Sequence, residues 1–544
     1  MRLLPLSYGR KTLLALMLGA FGASPLMVPA AVVPAGTLLA ADQDIVRNNG
    51  SEPASLEPHK VESDVEFNII SDFFEGLVSV DNDGKIRPRL AERWDNDHNT
   101  RWVFHLRPGL TWSNGDPITA QDVVFSWRRL VNPVTASPYA SNLSNMQVLN
   151  AQDIVDGKKS PDELGIKALD AETVEVTLVK PVSYFLQMLA HPALVPVDKS
   201  VIDQFGDKWT QPGNIVSSGA YKLDQWVVNE KVVGIRNHRY WDNAHTVINK
   251  VTYLPVTSGT ADVNRYRAGE IDITYTIPET LFKSLKKEIG PEVHISPKLA
   301  VYYYEFNTQK APFNDPRVRL ALNLGLDKSI IAEKVLGQGQ MPAWTLSHYA
   351  AGGYNLKMPD YAGWSQDKRN QKAKALLKAA GFDAQHPLTF SLLYNTSESH
   401  QRIAIAASSM WKKNLGVVAT LQNQEWKTML DTMHTGNFDL VRYAWIADYD
   451  EPSTFLNNFL SNSSENTAKF VNADYDQAIH AASAATPANA GRFYQQAEAI
   501  LAQQVPAIPV YYYVSSKLVK PWIGGFNESA LSYYYTKDLY VKKH

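Results

Sequence analysis

The 544-residue chain contains no cysteine. In an exported protein that excludes structural disulfides, thiolate metal ligands, a cysteine nucleophile and a cysteine-linked lipid. Charge of one sign is also missing: 53 basic against 55 acidic residues leave a net charge of −2, so there is no basic field to hold nucleic acid. Enzyme motifs are absent. The chain has no Gly-x-Ser-x-Gly elbow, no Walker loop and no His-Glu-x-x-His. Gly337-Gln338-Gly339-Gln340-Met341-Pro342 begins like a dinucleotide loop but lacks the third glycine and a preceding strand. The 13 histidines are scattered, with His238 and His245 in a polar loop, so neither a metal site nor a cofactor is expected. None of the many carboxylates is singled out for acid/base work. There is no internal repeat, no low-complexity tract and no long disordered linker.

The N-terminus reads as an export signal. Arg2, Arg10 and Lys11 give the positive region, Thr12 to Ala23 an apolar run and Val28-Pro29-Ala30 the cleavage site, with Ala31 as the first mature residue. The apolar run is shorter than the roughly 20 residues a membrane span needs. A soluble periplasmic protein is therefore expected. A chain of this length splits into two or three domains. From Val78 to Leu110 short strands alternate with Asn/Asp/Gly turns, the mark of a small β-rich domain. Between Asp315 and about Tyr513 helices and strands alternate, which predicts a doubly wound α/β domain with its ligand site beyond the strand ends. His400 is placed in the loop after the strand Leu388 to Leu393, and a helix is expected from Arg402 to Leu415.

One stretch at such a strand end carries recognition chemistry: Val441-Arg442-Tyr443-Ala444-Trp445-Ile446-Ala447-Asp448-Tyr449-Asp450-Glu451-Pro452. If it is a strand throughout, Arg442, Ala444, Ile446 and Asp448 share one face and Tyr443, Trp445 and Ala447 the other. That would hold both signs of charge over one cleft, as a zwitterion requires. An ordinary sheet end with a solvated Arg and Asp fits the same residues. Loops carrying His400 and Trp426 could join the cleft, although a tryptophan is more often a core residue and His400 alone would be a solvated loop histidine.

Several blocks resemble the periplasmic oligopeptide-binding proteins of ABC importers, within the peptide/nickel-type extracellular solute-binding family. They are Asp116-Pro117-Ile118-Thr119-Ala120-Gln121-Asp122-Val123-Val124, Lys208-Trp209-Thr210-Gln211-Pro212-Gly213-Asn214, Tyr240-Trp241-Asp242-Asn243-Ala244, Asn423-Gln424-Glu425-Trp426-Lys427, Ala447-Asp448-Tyr449 and Leu518-Val519-Lys520-Pro521-Trp522. The resemblance implies a two-lobed α/β periplasmic binding protein. After a signal peptide at 1–30, residues 31–74, 199–299 and 515–544 would form the core of the first lobe, 75–198 its additional small subdomain and 300–514 the second lobe, with the hinge near 300 and 514. It implies a non-enzymatic monomer that captures peptides with a free N-terminus and delivers them to an inner-membrane permease complex. Asp448 would anchor the ammonium group, Arg442 and His400 would face the carboxylate, and Ala444, Trp445 and Ile446 would pair with the peptide backbone, with Glu62, Ser63 and Asp64 along its other edge. Tyr139, Trp426, Trp445 and Tyr513 would line side-chain pockets. Receptors for murein peptides, sugars or metal chelates share the scaffold. An exported hydrolase is the remaining reading. Leu336 and Met433 stand where relatives carry basic residues, which implies a narrower range of ligand lengths. Ala300 and Ile446 replace a cysteine pair, and Ala444 adds a methyl where a relative has glycine.

Overall fold

The structure, a computed structural model, describes residues 33–81 and 84–544; the signal segment 1–30 lies outside the described residues. Two four-stranded sheets and one six-stranded sheet organise it. The first runs Asp44–Asn48, Lys250–Leu254, Lys231–Arg236, Tyr221–Val227, with only its first pair parallel. The helix Asp64–Phe73 lies on this sheet. The contact is close enough to demand glycine: a Cβ on Gly234 would stand 2.8 Å from the Phe73 ring. The second sheet runs Ala91–Asp97, Arg101–Leu106, Thr173–Thr177, Ile166–Ala168 and is antiparallel throughout. The helix Ala120–Val131 packs against it, started by a capping box in which Asp122 accepts from the Thr119 backbone N–H at 2.7 Å.

The six-stranded sheet runs Met341–Pro342, Ala507–Leu518, Val293–Phe306, Leu440–Ile446, Thr389–Asn395, Val418–Gln424. The alternating helix and strand pattern predicts parallel pairing, and the sheet corrects that in part. Only the last three strands pair in parallel, because the helices Glu398–Leu415 and Trp426–His434 carry the chain back between them. Val293–Phe306 and Ala507–Leu518 pair antiparallel because no crossover helix fixes their direction. These two long strands are paired from Val293 opposite Leu518 to Glu305 opposite Ala507, with the register broken between Pro297 and Val301. From Leu299 to Phe306 every residue is buried. Tyr302, Tyr304 and Phe306 pack with Leu440, Ile508 and Val510, while Val301 and Tyr303 join Tyr443 and Trp445 in a second core. A strand covered on both faces holds large apolar residues at successive positions, as this one does.

Ala300 lies directly opposite Ile446 in this sheet. Facing residues of an antiparallel pair have Cα atoms about 4.5–5.5 Å apart, within the range a disulfide spans. The double variant Ala300→Cys/Ile446→Cys should therefore oxidise without backbone movement and gain about 2–4 kcal/mol in urea denaturation, a gain removed by reductant.

Candidate ligand-binding cleft

The strand Leu440–Ile446 is bonded along one edge to Val293–Phe306 over its full length, Leu440 facing Phe306 and Ile446 facing Ala300. Along its other edge Thr389–Asn395 pairs only with Leu440 and Val441. From Arg442 to Ile446 that edge has no partner strand among the described residues. It opens into a cavity of about 280 Å³ walled by the end of the first sheet at Asn48, the helix Asp64–Phe73, the six-stranded sheet, and Tyr139 and His191. Asp448, Arg442, Ala444, Trp445, Ile446, His400, Trp426, Glu62, Ser63, Asp64, Tyr139 and Tyr513 all line this one cavity. Leu336 lines it too. Met433 is 1% exposed, packed in the core, and is not among the lining residues.

Arg442 is buried against the Tyr302 ring, its guanidinium carbon 4.8 Å from the centroid. Its Nη1 donates to Asn395 Oδ1 at 3.2 Å and its Nη2 to the Tyr513 hydroxyl at 2.7 Å. Nε finds no acceptor, and no described carboxylate pairs with the group. A buried guanidinium held only by neutral acceptors is a cation lacking its counter-ion. His400 sits beside it, its ring 5.7 Å from that of Tyr302. Here the sequence expectation needs correcting: His400 lies in the first turn of the helix Glu398–Leu415, not in a loop, because Ser397 caps that helix. Burial, reinforced by the nearby Arg442 charge, pushes its imidazole pKa well below the ordinary value, so His400 stands neutral, with Nδ1 unpartnered.

Asp448 lies two residues past Ile446, the last residue of the strand. The Ala447 N–H still donates to the Leu299 carbonyl at 2.8 Å, one step further along the register that pairs Ala300 with Ile446, so the ladder carries the chain up to Asp448. There His191 Nε2 lies 3.2 Å from Asp448 Oδ1. His191 Nδ1 already accepts from the Ala193 N–H at 3.1 Å, so the ring proton resides on Nε2 and points at the carboxylate. Thr454 Oγ1 donates to Asp448 Oδ2 at 3.3 Å and accepts from the Asp448 N–H at 2.9 Å. Tyr139 completes this end, 4.4 Å from the His191 ring and 6.2 Å from that of Trp445. Trp426 stacks on Tyr443 at 6.3 Å, and the indole N–H groups of both Trp426 and Trp445 are buried without an acceptor.

The cavity also holds groups that the sequence did not single out. Lys298 pairs with Asp64 at 3.7 Å and lies over the Tyr513 ring. Behind Trp426, Glu62 pairs with His434 at 3.1 Å. Burial together with Glu62, Asp448 and Glu305 raises the Glu465 carboxyl well above its usual range, and burial pushes Glu305 up to about 7. The His434 pKa is raised, chiefly by the hydrogen bond to Glu62. Protonation of His434 thus favours this contact, which is complete below pH about 6.5 and lost as pH rises through the raised value. Because His434 is partly exposed, its contribution to holding the contact is only about 0.2–1 kcal/mol. Stability in urea should fall by about that amount as the pH rises from about 6.5 through the raised His434 value in the wild type, and His434→Gln should lack that part of the decline.

A family model for bacterial extracellular solute-binding proteins, family 5 (middle), matches residues 85–467. The chain belongs to this family. Family 5 proteins bind solutes and are not enzymes. This family 5 protein is 54% identical over 518 residues to the periplasmic oligopeptide-binding protein OppA of Salmonella typhimurium, covering 95% of either chain. Its fold matches the murein tripeptide-binding protein MppA of Escherichia coli with a TM-score of 0.92 at 46% identity, over 93% of this chain and all of the other. Against an unliganded open form of MppA, also at 46% identity and covering 94% of this chain and 99% of that one, the TM-score is 0.64. The family 5 protein described here therefore has the lobe arrangement of the first structure and departs from the open one. The two-lobed α/β periplasmic binding protein fold accounts for the three sheets.

Proposed function

We propose that this periplasmic protein captures oligopeptides with a free N-terminus and hands them to an inner-membrane ABC permease. The observation that carries the reading is the strand edge from Arg442 to Ile446, which has no partner among the described residues and opens into the cavity. A backbone edge takes any extended peptide by main-chain hydrogen bonds, without reading its side chains. Glu62, Ser63 and Asp64 border the other side. At one end of this edge Asp448 offers a carboxylate to an ammonium group, and Arg442 supplies a cation without a counter-ion. Trp426, Trp445, Tyr139 and Tyr513 give rings, with room for water to rearrange around different side chains. The likeness to OppA and MppA supports the same reading, and Asp448 favours a peptide over a sugar. The murein tripeptide that MppA binds makes murein peptides the second reading, since these also present a free amine and carboxylates.

In this reading residues 31–74, 199–299 and 515–544 with the subdomain 75–198 form one lobe and 300–514 the other. They would flex where the long strands break register between Pro297 and Val301. The receptor works as a monomer. Mass spectrometry of ligand released by denaturing the protein purified from its own periplasm tests the proposal. Short peptides are expected; a sugar or a metal chelate would overturn it. Incubation with peptides should return them intact, whereas products would indicate a hydrolase.

A further inference from the structure

Resting on the peptide-binding reading, we infer that Arg402 is a second carboxylate partner, one that serves ligands reaching past Arg442 and that Glu279 occupies when the ligand is short. Arg402 stands on the helix Glu398–Leu415, two residues beyond His400, and lines the cavity. Its Nη2 donates to Glu279 Oε2, and Glu279 comes from the first turn of the helix Glu279–Glu288, in the segment assigned above to the other lobe. Ser399 Oγ fixes the second oxygen of Glu279 at 2.6 Å. The contact is echoed beside it: Glu398 accepts from Ser258 Oγ at 2.5 Å and Thr260 Oγ1 at 3.2 Å.

The basic side chains lining the cavity divide clearly. Lys298 pairs with Asp64, and Lys517 pairs with Glu528 at 3.6 Å. His191 is engaged by Asp448, and His400 is neutral. Position 336 is leucine and Met433 lies off the cavity. Arg442 has no carboxylate partner among the described residues, and Arg402 is the cation whose carboxylate comes from the segment assigned to the other lobe. Arg402 has donors to spare: its side chain is 34% exposed, and Glu279 takes a bond from Nη2 alone. A guanidinium has five N–H donors in a planar fork suited to carboxylates. Glu279 fills part of that fork with a carboxylate brought from across the cleft, the same chemical group a ligand's C-terminus would bring. A ligand whose carboxylate reaches Arg402 then either shares the fork or displaces Glu279.

Calorimetry with the full-length, ligand-free protein tests this, using tri-, tetra- and penta-alanine as free acids and as C-terminal amides. Arg402→Gln should cut the affinity of tetra- or penta-alanine acid by about tenfold or more, the scale of one lost charge-assisted contact, and erase the acid-over-amide preference at that length while sparing trialanine. Glu279→Gln, which removes the competitor, should raise affinity for the same longer acid, and Arg402→Lys should restore part of the acid preference. An equal loss at all three lengths in Arg402→Gln would make the contact a structural clasp and overturn the assignment, as would no loss at any length. Should the wild-type protein bind none of these peptides, or prefer no acid over its amide at any length, the peptide reading itself fails and this assignment with it.

Discussion

Replacing Asp448 by asparagine should weaken binding of a peptide with a free amino terminus by about 2–5 kcal/mol, on the order of 30-fold to several thousand-fold, while the N-acetylated peptide changes little. Asparagine keeps the size of the side chain and can still meet His191 and Thr454, so the cavity wall survives. What disappears is the negative charge that compensates a desolvated ammonium group. Much of the expected loss is the cost of leaving that ammonium buried and unpaired. The comparison of free and acetylated ligands isolates the charge from any change of shape. Equal losses for the two would remove Asp448 from the amine-anchoring role.

Arg442→Met should separate binding from stability. Arg442 is buried within its own sheet, against Tyr302 and with Asn395 and Tyr513 as neutral acceptors, so it carries a desolvation penalty that no carboxylate among the described residues offsets. A methionine of similar reach removes that penalty, and the ligand-free variant should be more stable than the wild type by about 1–4 kcal/mol in chemical denaturation. The same variant should lose about 2–5 kcal/mol in affinity for a tripeptide acid and little for its amide. A variant that is less stable without ligand would mean that Asn395 and Tyr513 already satisfy the guanidinium. A variant that still prefers the acid would place the carboxylate elsewhere.

The sequence shows the lining of this cleft more readily than its electrostatics. Alternation through Leu440–Ile446 places Arg442 and Trp445 on opposite faces correctly, because a strand paired along its length obeys period two. Asp448 lies just past the last residue of that strand, where the ladder still reaches Ala447, so the same alternation leads to it and to the cavity. His191 is not reached that way. Its partner Asp448 is remote in sequence, and a single histidine beside a proline carries no signal until the two lobes meet. The charge state of His400 likewise depends on burial against Tyr302 and Arg442, a property of packing rather than of spacing. The parallel half of the large sheet is legible because its helices are amphipathic and of ordinary length. The antiparallel half follows from the pairing of Val293–Phe306 with Ala507–Leu518, strands remote in sequence whose pairing has no short-range signature.

The strand edge that stops pairing at Val441 also determines what the receptor ignores. An unpaired edge on a protein surface invites any exposed chain to add itself, including half-folded neighbours in a crowded compartment. Here it lies at the bottom of a cleft that must shut over what it holds. A loop of a folded protein or a long unfolded segment can touch the edge but cannot be enclosed, so it gains neither dry hydrogen bonds nor both end contacts, and it leaves. Closure around a finite cavity thus acts as a proofreading step on size, letting a surface that is indifferent to sequence remain safe among proteins.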